Sequence, residues 1–192
     1  LTGKQVLEVG SGRGGGANWI ARTYAPESLT ALDYSSEAVK LCSQLYQSQV
    51  NLKFIEGNAM NLPLEDSTYD VVYNVESSHC YSDMGAFIRE VHRVLKPGGQ
   101  FAWTDFRDDK RMRIIHDTFL EVGFEIDKQV DITEEVIHAL DEISDDKKHR
   151  ISQGTNRSIR RSFETFAGVK DTPVYNSFVN GSLRYYRYLL TK

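Results

Sequence analysis

The 192 residues suffice for one α/β domain and exclude two ordinary ones. With 40% hydrophobic and 26% charged residues, the composition is that of a chain with a packed, water-soluble core. The formal net charge of −4 disfavours a generally basic nucleic-acid binder, so no nucleic-acid partner is expected.

Short β-like runs alternate with helical stretches, the pattern of a parallel sheet with helices on both faces. Gln5–Val9 is a short apolar strand, followed by a glycine-rich turn from Gly10 to Gly16. Ala17–Tyr24 reads as a helix with Trp19, Ile20 and Tyr24 as its apolar positions. Ser28–Asp33 is a second strand that ends in an acid. Ser35 or Ser36 caps the next helix, with Ala38, Val39, Leu41, Cys42 and Leu45 on its buried side. Leu52–Glu56 and Tyr69–Val75 are the third and fourth strands, with a turn-rich loop at 61–66 between them. Asp83 caps a helix whose stripe is Phe87, Ile88, Val91, Val94 and Leu95, and Lys96-Pro97-Gly98-Gly99 stops it. Gln100–Asp105 is the fifth strand, Arg111–Val122 a helix, and Phe124–Asp131 the sixth strand. Thr133 caps helical residues that reach about Phe166, with Glu134 and Glu135 in the first turn. Leu183–Leu190 is a last, aromatic strand.

The expected fold class is therefore α/β, a doubly wound, seven-stranded, Rossmann-like sheet with a helical insertion before its last strand. The expected division is a cofactor-binding core at 1–132, a helical cap insertion at 133–178 and the final strand at 179–192. No apolar run approaches the roughly 20 residues that span a bilayer. Two cysteines, Cys42 and Cys80, are too few for a metal or disulfide framework, which points to the reducing cytoplasm. The chain starts without Met and enters a strand almost at once, so an N-terminal segment is expected to be missing.

The chemistry gathers in two segments. Gly10, Gly12 and Gly15 satisfy a dinucleotide fingerprint, and Gly10, Gly12 and Gly14 a G-x-G-x-G variant. The motif follows a strand, opens a helix and has Asp33 at the end of the next strand, as its mechanism requires. An acid there can accept both ribose hydroxyls of an adenosine, each bond contributing about 1.5–3 kcal/mol. A dinucleotide would lay its pyrophosphate on the glycine turn. S-adenosylmethionine carries a cationic sulfonium and an amino acid instead, and Glu8, just before the glycines, suits that cation. The plainer reading of Glu8 is a bond to the loop backbone. Asn58 and Ala59, after the third strand, are placed for adenine contact, with Asn58 alternatively structuring its loop.

Val75–Tyr81, beyond the fourth strand, lies where the reactive centre of an open α/β sheet sits. His79 is the side chain best suited to proton transfer near neutral pH, or to a structural hydrogen bond. Glu76 is read as a ligand contact or loop anchor, and Tyr81 as an acceptor-pocket wall or core aromatic. Cys80 is read as packing, since methyl displacement needs no covalent enzyme intermediate. Asp105 and Arg107 touch substrate or tie loops. His92, His116, His138 and His149 lack ligand spacing, so no metal is expected. Lys147, Lys148, His149, Arg150, Arg157, Arg160 and Arg161 form a positive stretch, either a solvated face or a patch for an acidic carrier or membrane surface. Phe163, Phe166, Tyr175 and Phe178 offer an apolar wall for a hydrophobic acceptor.

The strings VLEVGSGRGGG, LDYS, GNA, YDVVYNVESSHCY and RVLKPGG resemble class I S-adenosylmethionine-dependent methyltransferases. The closer likeness is to the phthiotriolone/phenolphthiotriolone dimycocerosate and teleocidin-type C-methyltransferase subgroup, which shares the triple glycine, VESSHCY, DFR and the FAGVK…YNSF pattern. The resemblance implies an antiparallel last strand and a further N-terminal helical segment that this chain lacks. It implies that Glu8, Gly10, Ser11, Gly12 and Gly15 surround the methionine part, and that Asp33 and Tyr34 hold the ribose and flank the adenine. Asn58 and Ala59 would meet the adenine edge, although the family usually has aspartate at the Asn58 position. Asn74, Val75 and Glu76 would lie under the sulfonium, His79 would be catalytic, and Cys80 and Tyr81 would meet substrate. The implied activity is methyl transfer to oxygen or carbon of a small hydrophobic natural-product or lipid-like acceptor in secondary metabolism, leaving S-adenosylhomocysteine. A nicotinamide-dependent oxidoreductase shares the fingerprint but leaves Glu8 and VESSHCY unexplained. A cofactor-binding protein without catalysis is the third reading, and a homo-oligomer is left open.

Overall fold

Val6, Leu7 and Val9 are all buried, so strand β1 (Gln5–Val9) has both faces covered, as a central strand of a parallel sheet must. It pairs in parallel with β2 (Ser28–Asp33) on one side and β4 (Tyr69–Val75) on the other, and β3 (Leu52–Glu56) lies parallel beyond β2. The computed structural model describes residues 1–142, 170 and 172–192. With β5 (Leu95–Arg107), β6 (Glu125–Asp131) and β7 (Arg184–Thr191), the order is β3-β2-β1-β4-β5-β7-β6. Gly98 N–H donates to the Lys192 carbonyl at 2.9 Å, and Lys192 N–H to the Gly99 carbonyl at 3.0 Å. The start of β5 thus meets the end of β7, which runs antiparallel. The seven-stranded Rossmann-like α/β architecture is the one the sequence leads to.

The helices are α1 (Gly15–Tyr24), α2 (Ser36–Leu45), α3 (Met84–Val94), α4 (Asp109–Val122) and α5 (Pro173–Val179). Ser35 caps α2 by accepting from Ala38 N–H (3.2 Å), and Asp83 caps α3 by accepting from Ala86 N–H (2.8 Å). Caps of this kind contribute about 1 kcal/mol each. The α3 stripe of Phe87, Ile88, Val91 and Val94 is buried as the spacing requires.

Several expectations are corrected. Trp19 and Tyr24 are exposed and pack edge-on against each other (5.4 Å), while Ala17 and Ala21 face the sheet. Small side chains let α1 lie close to Val6, Leu29, Ala31 and Tyr73. On α2, Leu41 and Leu45 are exposed. Ala38, Val39, Cys42 and Tyr46 take the inward arc, and Tyr46 meets Phe54 at 5.9 Å. Strand β5 starts at Leu95, not Gln100, so Lys96–Gly99 lie inside it. Tyr69 pairs with Leu95 but Val71 with Gln100, so these four residues bulge out of the β4 ladder, while Gly98 and Gly99 pair with Lys192. Thr133 does not cap: helical residues run 133–142, and Asp131 accepts from Thr133 N–H and its hydroxyl. The expected continuation to Phe166 lies outside the described residues. The short α5, with Pro173 in its first turn, is helix before the last strand as expected, whereas a 3-10 turn at Ser78–Cys80 was not foreseen.

The chain forms two compact units. Leu1–Asp105, Arg113–Gln129 and Arg187–Lys192 make the first, whose core on the β5 side is aromatic: Phe101, Trp103, Phe119, Phe124 and Tyr188, with ring centroids 5.4–6.2 Å apart. Phe106–Met112 and Val130–Tyr186 make the second. There Phe106 packs on Phe178 (5.4 Å) and Tyr185 (5.9 Å), and Arg184 pairs with Asp131 (3.1 Å) and Asp109 (3.4 Å).

Candidate active site

The glycine turn is pinned from β2: the N–H groups of Gly10 and Ser11 both donate to the Leu32 carbonyl, at 2.8 and 3.0 Å. Gly10 is left-handed (φ 79°), and a Cβ there would lie 2.2 Å from Ser77 Oγ and 2.8 Å from the Tyr81 hydroxyl. A Cβ on Gly14 would meet the Phe54 ring at 2.7 Å. These two glycines are demanded by the protein's own packing. Around Gly12 and Gly15 there is open space, where a ligand can approach the backbone. Asp33 accepts from Gly12 N–H (2.6 Å) and Ser35 N–H (3.0 Å), and Tyr34 beside it is 79% exposed. Asn58 Oδ1 accepts from Met60 N–H (2.9 Å), so its carbonyl is engaged within its loop, and Ala59 is buried.

Glu8 is only 7% exposed. Burial pushes its carboxyl up to about 7; Tyr73, opposite it in the β1–β4 ladder, partly offsets this, and the Asp33 charge adds to it. Its Oε1 lies 3.5 Å from where a Cβ on Gly16 would sit, so it faces the first turn of α1. Glu8 Oε2, Ser11 Oγ and Asn74 Oδ1, together with the Tyr73 hydroxyl that faces Glu8, are buried without a hydrogen-bond partner among the described residues. Each such group costs about 1–3 kcal/mol until something completes it. A carboxylate, a hydroxyl and an amide carbonyl, all able to accept, fit the ammonium and sulfonium of S-adenosylmethionine. A pyrophosphate would set more negative charge beside Glu8 and Asp33.

Beyond β4, Asn74 is fully buried and its Nδ2 reaches the Val9 carbonyl (2.8 Å), Ser77 Oγ (2.6 Å) and the Tyr81 hydroxyl (3.2 Å). Val75 and Glu76 are exposed; Glu76 is left-handed (φ 49°), its N–H bonded to the Thr104 carbonyl (2.9 Å). The 3-10 turn then delivers His79 to Asp105. Asp105 is 0% exposed and accepts from Ser78 Oγ (2.7 Å) and His79 N–H (3.0 Å), while His79 Nδ1 stands 2.9 Å from its other oxygen. Trp103 Nε1 donates to Ser78 Oγ at 3.0 Å. A buried carboxylate at Nδ1 places the proton there and makes Nε2 the basic nitrogen. The His79 side chain is 28% exposed, so the ring can meet a substrate. Cys80 is exposed, and Tyr81 packs edge-on to Phe87 at 5.0 Å.

The partnership of Asp105 with His79 is the main feature that residue-by-residue reading missed. A signal existed: Phe101, Trp103 and Asp105 share one face of β5, and an acid at a core position of an aromatic strand calls for a partner. In the second unit, Arg107 is buried with Nη1 on the Phe106 carbonyl (2.6 Å), and Tyr175 donates to Asp141 (2.8 Å). Tyr175 and Phe178 are buried packing residues there. Phe163, Phe166 and the basic residues from 147 to 161 lie outside the described residues. Among the described residues no three His, Cys, Asp or Glu side chains group to hold a metal ion.

Residues 7–103 match the family described as methyltransferase domain. The chain is 36% identical over 192 residues to a phthiotriol/phenolphthiotriol dimycocerosates methyltransferase of Mycobacterium tuberculosis (strain ATCC 25618 / H37Rv), covering 100% of this chain and 71% of that protein. It is 47% identical over 107 residues to a fatty-acid O-methyltransferase of Mycolicibacterium smegmatis, covering 56% of this chain and 39% of that one. Among solved structures, the geranyl diphosphate C-methyltransferase from Streptomyces coelicolor A3(2), with Mg2+, geranyl diphosphate and S-adenosyl-L-homocysteine, superimposes with a TM-score of 0.76 at 15% identity, covering 98% of this chain and 73% of that chain. At that identity the likeness is one of fold. The named relatives favour neither a nicotinamide oxidoreductase nor a protein without catalysis.

Proposed function

The chain belongs to the methyltransferase domain family and is an S-adenosylmethionine-dependent methyltransferase, and on that premise we propose that its acceptor is a hydroxyl on a hydrophobic, lipid-like molecule. The observation that carries this reading is His79 held at Nδ1 by buried Asp105, because an acceptor hydroxyl needs a base and a carbon nucleophile of ordinary acidity needs a stronger one. When bound, the cofactor supplies a methyl already activated by the sulfonium charge. His79 Nε2 takes the acceptor's O–H proton as its oxygen bonds to the methyl, and Asp105 stabilises the imidazolium that results. The bonding pair stays on sulfur, so charge and atoms balance. Aligning acceptor and methyl and excluding water supplies the larger share of the rate, up to about 7–11 kcal/mol.

In this reading Glu8, Ser11 and Asn74 receive the aminoacyl and sulfonium end, with the backbone of Gly10, Gly12 and Gly15 beneath it. Asp33 takes the ribose, Tyr34 covers the adenine, and Asn58 and Ala59 border it. Val75 and Glu76 close the β4 side, and Cys80 faces the acceptor. The relatives' names support a lipid-like acceptor, and a place in secondary metabolism belongs to the same reading. A cytoplasmic location is part of the same reading, supported by the free thiols of Cys42 and Cys80. No helix among the described residues is long and apolar enough to cross a membrane. The test is transfer of labelled methyl from S-adenosylmethionine to long-chain alcohols, diols and fatty acids. Label in the ether methyl of an alcohol or diol is the expected result, and label confined to fatty-acid esters, whose carboxylates need no base, overturns the proposal. Label on carbon, or none with any acceptor while cofactor binds, overturns the proposal.

A further inference from the structure

Tyr81 follows the base-bearing turn, yet its hydroxyl points back to the glycine turn. It lies 2.9 Å from Ser77 Oγ, 3.2 Å from Asn74 Nδ2 and 2.8 Å from the place a Cβ on Gly10 would take. The Val9 carbonyl accepts from Asn74 Nδ2 (2.8 Å) more closely than from Ser77 Oγ (3.4 Å), so Nδ2 lies toward the two hydroxyls and the buried Oδ1 is left without a partner among the described residues. One amide hydrogen goes to Val9; the other is shared by Ser77 Oγ and the Tyr81 oxygen, which therefore accepts and retains a further lone pair. Burial, then the charges of Asp33 and Asp105, push the phenol up to about 12, so it remains a neutral hydroxyl. Asp33 and Asp105 both set negative charge toward it, and such charge favours a cation. The reacting methyl must also lie within reach of His79, two residues away, which brings the charged sulfur to this side of the site.

Resting on the methyltransferase reading, we propose that the Tyr81 hydroxyl, with Asn74 Oδ1, is a selecting group for the cationic methyl donor, so that the site prefers the sulfonium to the neutral thioether left after transfer. Tyr81 thereby helps product leave. This moves it from the acceptor wall, where its sequence position suggests it, to the cofactor.

The test is calorimetric binding of S-adenosylmethionine and S-adenosylhomocysteine to wild type, Tyr81→Phe and Tyr81→Leu, with a melting curve for each. Both variants lose the oxygen, and Phe keeps the ring against Phe87. The expected result is a loss of about tenfold for the sulfonium ligand and less than about twofold for the thioether, the size of one polar contact. Equal losses, no loss, or a raised acceptor KM with both affinities intact overturns the proposal. If Tyr81→Phe does not fold, Tyr81→Leu decides it by the same ratio. Wild type binding neither ligand would instead sink the methyltransferase reading itself.

Discussion

Two buried carboxylates stand on the strands that flank β4, Glu8 on β1 and Asp105 on β5. Asp105 is saturated by its own protein, through Ser78 and both His79 nitrogens on that side. Glu8 has an oxygen with no partner, and burial holds its carboxyl at about 7. Similar burial thus gives opposite results. On the proposed assignment, the end that holds His79 is finished by the protein itself, whereas the end at Glu8 is left electrostatically incomplete, to be completed by a cation.

The largest effect is expected from breaking the finished end. Asp105→Asn should lower single-turnover methyl transfer by about 10³–10⁴-fold, because an amide no longer holds the His79 tautomer or its charge. Affinity for the neutral S-adenosylhomocysteine, measured by calorimetry, should stay within about twofold. A comparable loss of affinity would mean that the two ends are not separate. Next comes Gly10→Ala, whose Cβ has only 2.2 Å to Ser77 Oγ at a left-handed backbone. Thermal melts should show a loss of about 2–4 kcal/mol, with cofactor affinity reduced at least about hundredfold.

Glu8 sharpens the comparison through pH. A carboxyl raised from 4.5 to about 7 holds its proton more tightly folded than unfolded. The unliganded protein therefore loses stability as pH climbs from about 4.5 through 7, by at most about 3 kcal/mol. Cofactor affinity moves the opposite way, rising about tenfold from pH 6 to 8 as the carboxylate forms. Glu8→Gln should flatten both slopes; slopes that persist in the variant assign them to another group. The smallest effect belongs to Asn58→Ala. Its carbonyl is engaged by Met60 N–H, so affinity should fall only about two- to threefold. A tenfold loss would extend the ligand-dependent region to the β3 loop.

Where neighbours in sequence decide structure, the residues were legible. The bounds of β1 to β4 and the Ser35 and Asp83 caps follow from short-range patterns. The glycine turn and Asp33 were found because a strand, a turn and a strand end lie within one βαβ unit. What failed depends on distant partners. Lys96–Gly99 reads as a helix stop, and only Lys192 makes it part of a strand. The His79–Asp105 contact joins residues 26 apart, one on the 3-10 turn after β4 and the other on β5. Tyr81 was legible as part of the segment that follows β4, but the direction of its hydroxyl depends on Asn74 and Gly10, which β4 and β1 position. On α1 the helix was legible but its buried face was not: alanine, not tryptophan, fits a helix that lies close to its sheet.

The antiparallel β7 has a bearing on how the chain is made. It is the last strand in sequence, yet it lies between β5 and β6, both synthesised earlier. Until it is made, the edges of β5 and β6 that it joins are unpaired and the aromatic layer lacks Tyr188, the kind of surface that other chains can join. Closure of the sheet must therefore wait for residues 184–192, which are made after the glycine turn, His79 and Asp105.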